Sequence, residues 1–209
     1  MISLVIFDMD GLMFDTENLS YKMWHKVFEY HSIKPNEEFF LKLRGRNETA
    51  CVELFKDEYS DLLIDFRQLK KEKNELVYNE IIEHGVPVKE GLYELLDYLK
   101  KRNIKIGLAT SSSDTVAKKY LSLANVSKYF DYMVFGNEVN NSKPDPEIFL
   151  RVSNKANVNP SDSLVLEDSE AGVKAAERGG FNVYWIPDKV IFNTKAVRLS
   201  NLKDVIKRI

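Results

Sequence analysis

The sequence predicts an α/β fold: a Rossmann-like parallel sheet, interrupted after its first strand by an inserted all-helical domain. Three observations predict it. Ile2 to Phe7 is a short apolar run of strand length that ends on an acid, Asp8. From there to about Gly85 the apolar spacing is helical throughout and shows no strand pattern. Beyond Val86-Pro87, strand-length runs alternate with helical segments, the arrangement of a parallel sheet covered on both faces.

Taken in order, Asp15-Thr16-Glu17 reads as a helix start. Trp24, Val27, Phe28 and His31 share one helix face, and Phe39, Phe40 and Leu43 form a second short apolar face. Leu62, Phe66, Leu69, Leu76, Val77 and Ile81 predict one long amphipathic helix. Leu92, Leu95, Leu96 and Leu99 predict another. Strands are then expected at residues 104–109, 132–135, 163–166 and 183–186, with helices at 115–123, 146–156, 171–178 and 202–209. The boundaries place residues 1–14 and 87–209 in the α/β domain and residues 15–86 in the helical insert.

The 209 residues suffice for a full core, and 44% hydrophobic with 30% charged residues is globular composition. A net charge of -2 supplies no long-range attraction to nucleic acid or to an anionic membrane, so an anionic ligand must be held by a local site. The single cysteine, Cys51, allows no intrachain disulfide, which suits a reducing compartment. The N-terminal run lacks the basic start and cleavage site of a signal peptide, and no apolar stretch reaches the length of a membrane span. A soluble cytoplasmic protein, monomeric and without nucleic-acid or membrane partners, is the expectation. His25, His31 and His84 are scattered through the insert without metal-ligand spacing.

Ligands of a parallel α/β sheet bind beyond the carboxyl ends of its strands. Those ends carry Asp8 and Asp10 after the first strand, Thr110 and Ser111 after the second, Lys143 in the loop after the third, and Glu167 and Asp168 after the fourth. So many carboxylates around one point require a cation, and Mg²⁺, a hard ion with oxygen ligands, suits a site that also takes phosphate. Lys143 and Thr110 would bind the oxygens of a transferring phosphoryl group. Asp8 would attack phosphorus and form an aspartyl-phosphate, and Asp10 would protonate the leaving oxygen and then accept a proton from water.

These segments resemble the haloacid dehalogenase-like hydrolases. Phe-Asp-Met-Asp-Gly-Leu-Met-Phe-Asp-Thr-Glu at 7–17 is similar to that family's first motif, and Ala-Thr-Ser-Ser at 109–112 to its second. Ser-Lys-Pro-Asp-Pro-Glu-Ile-Phe at 142–149 is similar to the third, and Leu-Glu-Asp-Ser-Glu-Ala-Gly at 166–172 to the fourth. The insert lies where the β-phosphoglucomutase and sugar-phosphate phosphatase subfamily carries a helical cap, which in that subfamily closes over the core. The resemblance implies Asp8 as nucleophile and metal ligand, Asp10 as general acid/base with its backbone carbonyl on Mg²⁺, and Asp168 as a metal ligand. It implies Glu167 as a direct or water-mediated ligand, and Thr110, Ser111 and Lys143 as the phosphate-binding set.

The second acid, Asp10, separates the chain from the dehalogenases and phosphonatases of that family, which depart at this position. The known mutases carry a lysine shortly after the second motif, where this chain reads Ser111-Ser112-Ser113-Asp114 and has no lysine until Lys118. They also carry a cap arginine three residues after a glycine; a gapless match from Gly45 puts Glu48 there, with Arg44 and Arg46 flanking the glycine. The expectation is therefore a Mg²⁺-dependent phosphatase of a small, sugar-phosphate-like ester, with β-phosphoglucomutase as the alternative. Arg46 and Ser112 are the candidate substrate contacts. A phospho-receiver domain uses similar residues, but it is shorter and continuous and places its phosphorylated aspartate after a later strand.

Overall fold

The computed structural model describes residues 1–43, 48–187 and 192–209. The chain divides into two compact units, Met1–Asp15 with Val86–Ile209, and Thr16–Gly85.

The first unit is built on a six-stranded sheet. Its strands are β1 (Leu4–Phe7), β2 (Lys105–Thr110), β3 (Tyr132–Phe135), β4 (Ser163–Glu167), β5 (Asn182–Trp185) and β6 (Val197–Arg198). Their order across the sheet is β3-β2-β1-β4-β5-β6, and every pairing is parallel. Strand β1 lies in the middle, flanked by β2 and β4, and Leu4, Val5, Ile6 and Phe7 are fully buried. Burial on both faces explains why the first strand is a continuous apolar run with no alternation. The chain builds outward from β1 to β3, then crosses to β4 on the other side. The sheet's topological switch point therefore lies between β1 and β4, where a crevice forms at the carboxyl ends.

Helix α7 (Glu147–Ala156) packs across β1, β2 and β3, with Ile148, Phe149 and Val152 buried against Leu4, Ile6, Ala109 and Val134. Helix α8 (Glu170–Arg178) contributes Val173, Ala175 and Ala176 to the same core. Helices α5 (Leu92–Lys101), α6 (Asp114–Leu123) and the short α9 (Lys203–Ile206) complete the unit. Both β2 and β4 extend one residue beyond the expected ends, so Thr110 and Glu167 are the last strand residues rather than the first loop residues. Strand β6 has no counterpart in the sequence reading: two exposed residues carry no period to detect.

The second unit holds α1 (Thr16–Tyr30), α2 (Glu37–Leu43), α3 (Glu48–Glu58) and α4 (Phe66–His84). Its core is aromatic. Phe28 is fully buried and its ring lies 4.9 Å from that of Phe40, 5.6 Å from Tyr59 and 5.9 Å from Trp24, with edge-on geometries at all three. Helix α4 begins at Phe66, not at Leu62 as its apolar spacing suggests. Asp65 ends the preceding loop by accepting a hydrogen bond from the Arg67 backbone N–H at 2.9 Å, leaving Leu62 outside the helix and partly exposed. The three histidines pair with glutamates, His25 with Glu37, His31 with Glu72 and His84 with Glu80. Cys51 is buried and free. Among the described residues, no helix is long and apolar enough to cross a membrane.

Phe28 has most of its contacts inside this small aromatic core, so Phe28→Ala should destabilise the helical unit by about 3–5 kcal/mol. Urea unfolding followed by tryptophan fluorescence in a Trp185→Phe background, which leaves Trp24 as the reporter, measures the loss; a shift under about 1 kcal/mol would contradict a core role for the ring.

Candidate active site

Strand β1 delivers Asp8 into the crevice beside β4. The Asp8 backbone N–H donates to the Leu166 carbonyl at 3.1 Å, so the residue continues the strand pairing although β1 itself ends at Phe7. The chain then turns tightly. Met13 and Phe14 N–H groups donate to the Met9 carbonyl, and Gly11 N–H donates to Phe14. Gly11 has φ +83°, and a side chain there would stand 2.1 Å from Asp168 Oδ2. Glycine at this position both permits the left-handed turn and gives the Asp168 carboxylate its space.

Lys143 enters from the loop before α7. Its ammonium lies 2.5 Å from Asp8 Oδ1 and 2.6 Å from Glu167 Oε1, and a third donation reaches the Ala109 carbonyl at 3.4 Å. The ammonium also sits 4.9 Å above the Phe149 ring. The side chain is 8% exposed, so the whole aliphatic stem is enclosed. The loop that carries it is pinned by the Glu147 carboxylate, which accepts from the Asn140 and Asn141 backbone N–H groups at 3.2 and 2.9 Å. Those backbone bonds hold the Glu147 carboxyl below its ordinary value.

Glu167 is completely buried. One oxygen takes Lys143; the other accepts from Asp168 N–H, Ser169 N–H and the Ser169 hydroxyl at 2.9–3.0 Å. Ser169 in turn caps α8 by accepting from Gly172 N–H. Gly172 must be glycine for a packing reason: a Cβ there would lie 1.7 Å from Glu167 Oε1. Asp168 is partly exposed, and its carbonyl accepts from the Trp185 indole at 3.0 Å.

The electrostatics follow from this enclosure. Burial pushes the Asp8 carboxyl up to about 8; Lys143 opposes the shift, while Glu167 and Asp10 reinforce it. Burial alone would lower the Lys143 ammonium, but the Asp8 and Glu167 carboxylates outweigh it, so the lysine stays protonated. Two buried acids thus share one cation. Asp8, Glu167 and Asp168 each offer an oxygen within 4.8 Å of the others, a grouping suited to a second, divalent cation.

Thr110, at the end of β2, is buried, and its hydroxyl oxygen accepts from Ser112 N–H at 3.1 Å. The Ser112 hydroxyl donates to Asp10 Oδ2 at 2.8 Å. Ser111 has an exposed side chain. The structure therefore brings Asp8, Lys143, Glu167 and Asp168 into one cluster and links Asp10 to Thr110 through Ser112. Arg44 and Arg46 lie outside the described residues. Phe149 and Glu147, which seat Lys143, were not singled out by sequence, although both fall within the segment 142–149.

The model of the haloacid dehalogenase-like hydrolase family matches residues 5–186. A phosphorylated carbohydrates phosphatase of Thermotoga maritima is 36% identical over 178 residues, covering 84% of this chain and 81% of that protein. The beta-phosphoglucomutase of Bacillus subtilis is 30% identical, covering 84% of this chain and 79% of its own. Among solved structures, a Thermotoga maritima protein provisionally named beta-phosphoglucomutase superposes with a TM-score of 0.80 at 31% identity, covering 99% of this chain and 97% of that one. The chain belongs to the haloacid dehalogenase-like hydrolase family and is one of its phosphohydrolases.

Because Gly172 leaves no room for a methyl group beside Glu167, Gly172→Ala should cost about 1–3 kcal/mol and displace the carboxylate that holds Lys143. Denaturant midpoints test the first effect. Unchanged stability would show that the Glu167 carboxylate has another place to go.

Proposed function

We propose that this protein is a Mg²⁺-dependent phosphatase of a small phosphorylated carbohydrate, working through an aspartyl-phosphate on Asp8. The observation that carries the reading is the Lys143 ammonium held between Asp8 and Glu167, with the Asp168 carboxylate in the same group of oxygens. Asp8 and Asp168 would hold the metal, with the Asp10 carbonyl as the family resemblance implies. Glu167 belongs to the same group, and its oxygens also hold Lys143 and the turn at Asp168-Ser169. When bound, the cation offsets the charge gathering on the phosphoryl oxygens and orients the group for in-line attack.

The protein's own residues then divide the work. Lys143 and the Thr110 hydroxyl bind phosphoryl oxygens, with Ser111 N–H and hydroxyl groups beside them. An Asp8 oxygen forms a bond to phosphorus as the ester P–O bond breaks. Asp10 gives its proton to the departing alkoxide, releasing the alcohol. Water then attacks the phosphorus of the aspartyl-phosphate, Asp10 takes the proton from it, and Asp8 is restored as inorganic phosphate leaves.

Hydrolysis is favoured over phosphoryl transfer between two sugar positions by the segment after Thr110. A mutase needs a further cation for its second phosphate. The first lysine of this segment, Lys118, is paired with Asp114 at 3.0 Å and lies 5.3 Å over the Phe135 ring. The beta-phosphoglucomutase reading retains the support of the relatives that carry that name.

Purified protein should release phosphate from a panel of sugar phosphates with Mg²⁺ present and lose this activity in EDTA. Asp8→Asn should abolish turnover, and Lys143→Ala should lower kcat by about 10²-fold or more. No phosphate release from any ester would overturn the reading, and interconversion of glucose phosphates with a bisphosphate primer would favour the mutase.

The raised Asp8 gives a further expectation. Its carboxyl titrates near 3.8 when unfolded and near 8 in the metal-free fold, so between those values the folded state holds a proton that the unfolded state has lost. Metal-free stability should fall as pH rises through that window. Mg²⁺ requires the ionised carboxylate, so binding at about pH 6.5 should release a proton and at about pH 9.5 release far less. Calorimetry in buffers of different ionisation enthalpy reads that proton directly; equal release at both values would place the titration elsewhere.

A further inference from the structure

We propose that Ser112 is a positioning residue that fixes the carboxyl group of Asp10 in the orientation for proton transfer; the inference rests on the phosphatase reading. Every polar group of Ser112 is engaged. Its hydroxyl donates to Asp10 Oδ2 at 2.8 Å, its N–H donates to the Thr110 hydroxyl at 3.1 Å, and its carbonyl accepts from Gly136 N–H at 2.9 Å. Thr110 ends β2 and Gly136 follows β3, so the serine is held by two neighbouring strands of the sheet rather than by Asp10.

The loop around it is clamped from the same side. A Cβ on Gly136 would stand 2.1 Å from the Ser111 carbonyl oxygen, so the two backbones are pressed together. Asn137 continues the clamp, its side-chain oxygen accepting from Asp114 N–H at 3.0 Å. The backbone that carries the Ser112 hydroxyl is thus set in place, and Asp10 comes to it from the turn after β1. A donor placed before substrate arrives costs nothing to reorganise during the reaction.

The chemistry explains why one oxygen needs holding. A hydroxyl that donates to Oδ2 disfavours a proton on that oxygen, so the proposal assigns the exchanging proton to Oδ1. In the first half-reaction the Oδ1–H bond breaks and the proton goes to the alkoxide as its bond to phosphorus breaks. In the second, the proton of the attacking water forms that bond again. Proton transfer needs heavy atoms within about 2.6–3.2 Å, and an ångström of misplacement costs on the order of 10²-fold.

The test uses ethyl, phenyl and p-nitrophenyl phosphate, which lack the sugar and differ in how much their leaving oxygen needs a proton. In Ser112→Ala, kcat/KM for ethyl phosphate should fall about 10–10²-fold, while p-nitrophenyl phosphate stays within about threefold of wild type, because a good leaving group departs unprotonated. Ser112→Thr, which keeps the hydroxyl, should restore the ethyl ester. Equal loss on all three esters would show a merely structural role. No loss on any of them, with a raised KM for sugar phosphates, would make Ser112 a substrate contact. Either result overturns the proposal. Failure of the wild-type enzyme on every ester would instead overturn the phosphatase reading. A crystal structure of Ser112→Ala then decides the positioning separately: the proposal expects the Asp10 carboxyl to leave its present rotamer, and an unchanged single rotamer refutes it.

Discussion

The site of this protein depends on one buried cation between two buried anions. Lys143 reaches from the loop before α7 to Asp8 at the end of β1 and Glu167 at the end of β4. Those two strands flank the point where the order of the strands reverses. Two carboxylates at that depth repel each other and lose their hydration, and the enclosed ammonium offsets part of both penalties. Most of the local architecture serves this contact. Glu147 ties down the loop that carries the lysine, Phe149 lies under its ammonium, and Gly172 leaves space for Glu167.

Three carboxylates, those of Asp8, Glu167 and Asp168, gather their oxygens in one group, and the Lys143 ammonium meets two of them, Asp8 and Glu167. Burial, reinforced by the charges of Glu167 and Asp10, pushes the Asp8 carboxyl up to about 8, which would leave a poor nucleophile near neutrality. A divalent cation among the same oxygens would remove that handicap, so the burial that raises Asp8 bears directly on the proposed need for Mg²⁺.

The carboxyl of Asp10 raises that of Asp8 by its charge, but its hydrogen bond from Ser112 comes from the β2 side of the crevice. The two aspartates of one short turn are therefore oriented by different strands, and their environments differ accordingly. Asp8 faces a fixed cation in a buried setting, whereas Asp10 is half-buried against a neutral hydroxyl. Two adjacent acids with different surroundings can take different roles, and that separation is what a nucleophile and an acid/base pair require.

By itself, the sequence determined the parallel α/β class, the helical insert, the family, and which strand ends carry acids, hydroxyls and a lysine. Those features reside in local period and in short motifs, so neighbouring residues suffice to reveal them. The run from Leu4 to Phe7 is apolar because both of its faces are buried, and that is visible in four letters. Other features had no local signature. Strand β6 is two exposed residues, and the start of α4 was set by the Asp65 cap rather than by the apolar spacing that began at Leu62. Only the tertiary structure decided the partnerships: Lys143 with Asp8 across 135 positions, Ser112 with Asp10 across 102, and Gly11 against Asp168. The reason is physical. Residue type states what charge or hydroxyl a side chain can offer, but which oxygen it meets, and how far water is excluded there, depends on how the strands are ordered and registered in the sheet.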